Sequence, residues 1–151
     1  MEHGRGANRL IIDGHNLLYA VRARFAPQLV DGHPRTAARE ALVETLLGAF
    51  RACGHSVRIY FDGPVPHRER RSEEIEVIYP GGEGDQRADQ AILRDLADLA
   101  GEDERQPATV VTRDIKLARR ARKRGATVVD PEAFFAVWVE GGMTPTEGQD
   151  D

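Results

Sequence analysis

The sequence predicts an α/β domain of three layers, with a mainly parallel central sheet of about five strands and helices on both faces. Three observations carry that expectation. Short apolar runs alternate with segments whose apolar residues recur at helical spacing. Three of the runs end in acid-bearing turns, at Asp13-Gly14, Asp62-Gly63 and Thr112-Arg113-Asp114. The chain has 151 residues, 40% hydrophobic and 30% charged, enough to bury one core, and it shows no repeat or linker.

Taken in order, residues 1–8 are polar and read as a flexible tail, the domain spans 9–139, and 140–151 is a second tail. Residues 9–13 form a strand that ends in Asp13. Gly14 permits a tight turn, Asn16 is placed to cap the next helix, and that helix runs over 17–25. Pro27, Asp31 and Gly32 mark a loop. Pro34-Arg35-Thr36 opens a long helix whose core face is Ala38, Leu42, Leu46, Ala49, Phe50 and Cys53, with Gly54 as its stop. Residues 56–61 are a strand ending at Asp62-Gly63, and 65–72 a charged connection. Residues 75–79 are a third strand. Asp89 falls in the first turn of a helix with Ala88, Ile92, Leu96 and Leu99 on its apolar face, followed by a polar loop over 101–107. A strand over 108–112, a helix over 115–124, a strand over 126–129 and a helix over 131–139 complete the domain.

Bulk properties remove several function classes. The single cysteine, Cys53, excludes an internal disulfide and a multi-cysteine zinc site, and it reads as a core residue. No apolar run reaches membrane-spanning length and the N-terminus lacks a signal-peptide core, so a cytoplasmic protein without a membrane partner is expected. A net charge of −4 argues against a general nucleic-acid coat protein but leaves room for local basic patches.

Parallel strands place their C-terminal ends on one edge of the sheet, where ligands bind in open α/β folds. Asp13, Asp62 and Asp114 therefore converge there. Asp89 faces the same edge, because a helix returning across the sheet begins near it; Asp85, a turn earlier, is a weaker candidate. Clustered carboxylates raise one another's pKa unless a cation joins them, and hard divalent cations prefer such oxygen ligands. A carboxylate site holding Mg²⁺ or Mn²⁺ suits phosphodiester hydrolysis without a Cys, Ser or His nucleophile, in two-metal sites with ions about 4 Å apart. The competing reading is that each aspartate only caps a helix or opens a turn.

Ile12-Asp13-Gly14-His15-Asn16, then Tyr60-Phe61-Asp62, then Ala88-Asp89, then Val110-Val111-Thr112-Arg113-Asp114 resembles, in order and spacing, the NYN domain of the YacP type within the PIN-like nucleases. The resemblance covers roughly residues 9–138. It implies a PIN-like α/β/α fold and divalent-metal-dependent cleavage of RNA. On it, Asp13, Asp62, Asp89 and Asp114 are the acidic metal-site residues, Asn16 orients Asp13 or touches a phosphate, and Thr112 fixes the site by hydrogen bonding. It also implies RNA as partner, with ribosome association and a monomer or homodimer left open. Gln90 stands where such domains often carry an acid, and that departure motivates an alternative: a catalytically inactive RNA-binding or ribosome-associated module. A nucleotide-binding protein or phosphatase has less support, since Gly81-Gly82-Glu83-Gly84 lacks the Lys-Ser/Thr of a phosphate-binding loop.

Arg68, Arg70, Arg71, Arg87, Arg113 and Lys116 are the candidate RNA contacts, because phosphate contacts supply much of nonspecific affinity. Arg119, Arg120, Arg122, Lys123 and Arg124 continue the basic run on one helix and read equally as a solvated face. His15 reads as a turn residue. Phe134, Phe135 and Trp138 belong to the core, and Tyr19 and Tyr79 are the candidates for base stacking.

Overall fold

The computed structural model describes residues 8–28, 36–63, 65–82, 87–102 and 108–141. Residues 29–33 of the expected loop, Pro34 and Arg35 at the expected start of the long helix, Asp85, the stretch 103–107, most of both expected tails and the side chain of Leu99 lie outside the described residues.

Apolar runs become strands where the pattern predicts them: β1 (Arg9–Asp13), β2 (Ser56–Tyr60), β4 (Ile75–Tyr79), β5 (Thr109–Val111) and β6 (Thr127–Val129). A sixth strand, β3 (His67–Arg70), lies inside the expected charged connection. The sheet therefore has six strands rather than about five, in the order β3-β4-β2-β1-β5-β6. Every pairing is parallel except β3 with β4, whose antiparallel register runs from His67↔Tyr79 to Arg70↔Glu76. All residues of β3 are exposed. No apolar alternation marks it because it buries no side chain and pairs through its backbone, and charged side chains suit an edge that must not pair with other chains.

Successive strand residues point to opposite faces, and two core clusters follow. Leu10, Ile12, Val57, Ile59, Phe61 and Val77 meet α1 (Gly14–Ala20), α2 (Thr36–Ala49) and the C-terminal helix on one face. Ile11, Tyr60, Ile78 and Val110 meet α3 (Arg87–Glu102) and α4 (Ile115–Lys123) on the other. Phe134 and Phe135 are buried in the first cluster, and Trp138 packs against it, stacked on Phe50.

Helix boundaries depart from the pattern in three places. The first helix begins at Gly14, not Leu17, and gives way to tight 3₁₀ turns over Arg22–Gln28 that break at Phe25 (φ −122°, ψ 30°). α3 continues through Gly101 and Glu102, which were expected to be loop. The last helix is α-helical only over Pro131–Phe134 (α5) and widens into a π-helix over Phe135–Glu140. Among the described residues no helix is long and apolar enough to cross a membrane.

Gly48 gives the first testable consequence. It lies in α2, and a Cβ there would meet nothing within 4 Å. Alanine restricts the unfolded chain and favours the helix, so Gly48→Ala is expected to add about 0.5 kcal/mol. A denaturant midpoint that falls would contradict this.

Candidate active site

From β1 the chain reaches β2 on one side and β5 on the other, so the C-terminal ends of β1 and β5 flank the point where strand order reverses. Asp13 is the last residue of β1, and Thr112, Arg113 and Asp114 follow β5. Asp62 follows β2 by one intervening residue, Phe61. Asp89 occupies the first turn of α3. All four acids thus reach the same edge.

A hydrogen-bond chain fixes the β1–β5 side. The Thr112 hydroxyl donates to Asp13 Oδ2 at 3.1 Å, and the Asp114 backbone N–H donates to Thr112 Oγ1 at 3.1 Å. Asp114 Oδ1 accepts from the Leu117 N–H at 3.0 Å and so caps α4. Asp62 Oδ1 accepts from the Ala88 N–H at 2.8 Å, at the start of α3. Two acids therefore do act as caps, each through one oxygen. Asn16 does not cap α1, whose N-cap is Asp13. Instead its Oδ1 accepts the backbone N–H of Arg113, tying α1 to the turn after β5.

The electrostatics are those of crowded carboxylates. Asp13 is only 7% exposed, and its pKa is pushed up to about 7, chiefly by burial and then by the charge of Asp89. Hydrogen bonds from Thr112 and the Asn16 backbone oppose that rise, and Asp62 adds to it. Half-buried Asp89 is pushed up to about 6 by desolvation first, then by Asp114 and Asp62, with Arg120 pulling it back. Burial lowers the His15 imidazole below its ordinary value; Arg39 acts in the same direction and Asp62 against it.

The donor set is all oxygen, which suits a hard divalent cation. Among the described residues no three His, Cys, Asp or Glu side chains form a preformed metal cage. Mg²⁺ does not need one, since it binds through one or two carboxylates and keeps several waters.

The expected RNA-contacting arginines are largely engaged with acids. Arg68 bonds Glu76 at 3.2 Å, and Arg70 lies 3.9 Å from the same carboxylate. Arg71 bridges Glu40 and Glu44 of α2, and Arg113 pairs with Asp130 at 2.9 Å and Glu132 at 3.5 Å. The expectation that 68–71 lies near the acid edge holds only for its beginning. β3 runs antiparallel, so His67 sits beside Tyr79 at that edge while Arg70 lies opposite Glu76, nearer the start of β4. Arg87 donates to Gln90 at 3.4 Å. Lys116 is exposed on α4, and Arg120 of that helix is close enough to act on Asp89.

Tyr79 is half-buried and stacks on Phe61, with ring centroids 5.8 Å apart, whereas Tyr19 is exposed against His15. His55 is a core residue: it is buried, its Nδ1 accepts the Asn8 N–H at 2.9 Å, and its ring meets Trp138 edge-on. Burial raises the Cys53 thiol above its usual range, which disfavours the thiolate.

The pattern passed over Arg39. It lies in the first turn of α2, a helix that starts at the acid edge because it precedes a parallel strand. The argument that located Asp89 would have located Arg39 too.

A mainly parallel sheet between helical layers, with acids at its switch-point edge, defines a PIN-like α/β/α domain. The model of the YacP-like NYN domain matches residues 10–140, and the chain belongs to that family, a nuclease-type RNase domain. Among solved structures, a mutant of Rae1 (YacP) from Bacillus subtilis superposes with a TM-score of 0.68 at 19% identity, covering 89% of this chain and 76% of that one. No curated protein sequence matches the chain.

Proposed function

We propose that this domain is a divalent-metal-dependent endoribonuclease that hydrolyses RNA phosphodiester bonds. What supports the reading is the placement of Asp13, Asp62, Asp89 and Asp114 on elements that end or begin at one sheet edge, where burial and neighbouring carboxylates push Asp13 up to about 7 and Asp89 to about 6. Carboxylates so placed cost stability, and a bound cation removes that cost. Asp13, Asp89 and Asp114 would hold Mg²⁺ or Mn²⁺, with Asp62 beside them. A cation held there would lower the pKa of water toward neutrality and offset charge on the phosphate. Thr112 holds Asp13 in one rotamer through its hydroxyl. Asn16 fixes the backbone at Arg113 and with it the direction of Asp114. Asp62, bonded to the start of α3, fixes the turn that presents Asp89.

Asp114→Asn is the cleanest probe, because asparagine is as good a helix cap as aspartate and keeps the bond to Leu117. Cleavage of mixed single-stranded and structured RNAs is expected with Mn²⁺ or Mg²⁺. It should vanish in EDTA and fall at least about 100-fold in Asp114→Asn, while the melting temperature stays within a few degrees. RNA binding that persists in EDTA with no product at any metal concentration would instead make the domain a binding module. Gln90, which accepts from Arg87 where related domains often carry an acid, would then be the residue to change to Glu.

A further inference from the structure

We propose that Arg39 is a backbone-phosphate seat beside the acid edge, holding a nucleotide of the bound strand through its guanidinium. The choice of RNA as ligand rests on the function proposed above. Arg39 is half-buried, and its guanidinium carbon stands 5.5 Å from the Phe61 ring centroid. Its Nε is buried and has no hydrogen-bond partner. Among the described residues no carboxylate pairs with it, whereas Arg68, Arg70, Arg71 and Arg113 each face an acid. Neighbouring acids do not reach it: Glu40 and Glu44 of the same helix are taken by Arg71.

Helix stability does not explain this residue. A cation in a first turn faces the positive end of the helix dipole, which costs rather than contributes. A buried N–H without a partner costs more. Guanidinium groups stack flat on aromatic rings and offer their edge to planar oxyanions, and phosphate is the common one. Phe61 supplies the ring and immediately precedes Asp62, so the cation–π contact lies at the acid edge itself. Arg39 approaches from the α2 face, whereas Asp62 and Asp89 are tied to α3 on the other. A strand lying across the edge would meet carboxylates on one side and this cation on the other. An edge rich in acids needs such a counter-charge to admit a polyanion.

The test reads binding, not cleavage. A short single-stranded RNA is titrated in EDTA at several salt concentrations against wild type, Arg39→Gln, Arg39→Lys and Arg51→Gln. Arg51 lies between α2 and β2, at the opposite edge of the sheet, and controls for net charge. Arg39→Gln is expected to bind about tenfold more weakly. Its slope of log affinity against log salt should be shallower by about 0.7, the loss of one phosphate contact on a single strand. Arg39→Lys should fall between, and Arg51→Gln should stay within about twofold of wild type. Wild-type affinity and slope in Arg39→Gln, an equal loss in Arg51→Gln, or no binding by wild type overturns the assignment. Arg39-dependent binding without metal-dependent cutting would remove the nuclease reading and leave this one. Cutting together with unchanged binding in Arg39→Gln would do the reverse.

Discussion

Asp13→Asn is expected to abolish RNA cleavage and, at the same time, to make the metal-free protein harder to unfold at pH 8. The two effects have one cause. Asp13 titrates near 3.8 in the unfolded chain and at about 7 in the folded one. The folded state keeps the proton longer, so this group's contribution is fully present below about pH 4 and is lost as pH rises to about 7. Asp89, at about 6, adds a smaller loss over a narrower window. At pH 8 wild type therefore holds a buried, unneutralised charge, which the variant would not carry. The asparagine oxygen still accepts the Thr112 hydroxyl, but its amide brings new donors into a buried place. A shift of about 3 units sets a ceiling near 4 kcal/mol, and the amide's demands bring the expected gain to about 1–3 kcal/mol, or roughly 3–8 °C in Tm. Near pH 4 the difference should nearly close, because Asp13 is then protonated in the folded state and about half protonated in the unfolded chain. Mg²⁺ or Mn²⁺ should raise the Tm of wild type at pH 8 and leave the variant nearly unmoved. Thermal melts at the two pH values, with and without metal, decide it. A variant that melts lower than wild type at pH 8 in EDTA would show that Asp13 stabilises the fold rather than burdening it.

That burden explains which parts of the site were legible in sequence. The placement of Asp13, Asp62 and Asp114 was legible because each ends or closely follows a strand of the parallel part of the sheet, and topology alone brings strand ends together. Asp89 needed one further step, the return of a helix to the same edge. What the pattern could not supply was pairing. Arg68 and Arg71 belong to the connection that follows Asp62, and Arg113 adjoins Thr112 and Asp114, yet each is neutralised by an acid from another element, Glu76, Glu40 or Asp130. Sequence adjacency says nothing about such partners. Arg39 is the converse case, since among the described residues no carboxylate pairs with it, and that emerges only once α2 is docked on the sheet. β3 escaped for a related reason. Its identity lies in backbone bonds to β4, and its exposed side chains carry no periodicity.

Gly14→Ala is expected to destabilise the fold strongly and to lower cleavage with it. From the pattern, Gly14 is a glycine chosen to permit a tight turn. In the structure it has a different duty: it is the first residue of α1, and what it lacks is room. A Cβ there would stand 2.6 Å from Phe61 Cε1, 2.8 Å from Phe61 Cδ1 and 2.8 Å from the Tyr60 carbonyl oxygen. Neither neighbour can give way cheaply. Phe61 is fully buried, stacked on Tyr79 and covered by Arg39. Tyr60 is aligned with Asp13 in the β1–β2 ladder and with Ile78 in the β2–β4 ladder, so moving its backbone disturbs both. Overpacking against side chains alone costs about 1–3 kcal/mol, and a backbone atom puts this case at about 3 kcal/mol or more. For a domain of this size that lowers Tm by roughly 6–12 °C. Whatever relaxation occurs must shift Asp13 and Asn16 against Thr112 and Arg113, because Gly14 lies between them, so cleavage should fall even where the variant remains folded. Gly48→Ala, the same substitution with open space around it, is the matched control. If Gly14→Ala melted with wild type while Gly48→Ala behaved as expected, the close approach of α1 to the end of β2 would be refuted. The arrangement that brings Asp13 and Asp62 to one edge would then need a different account.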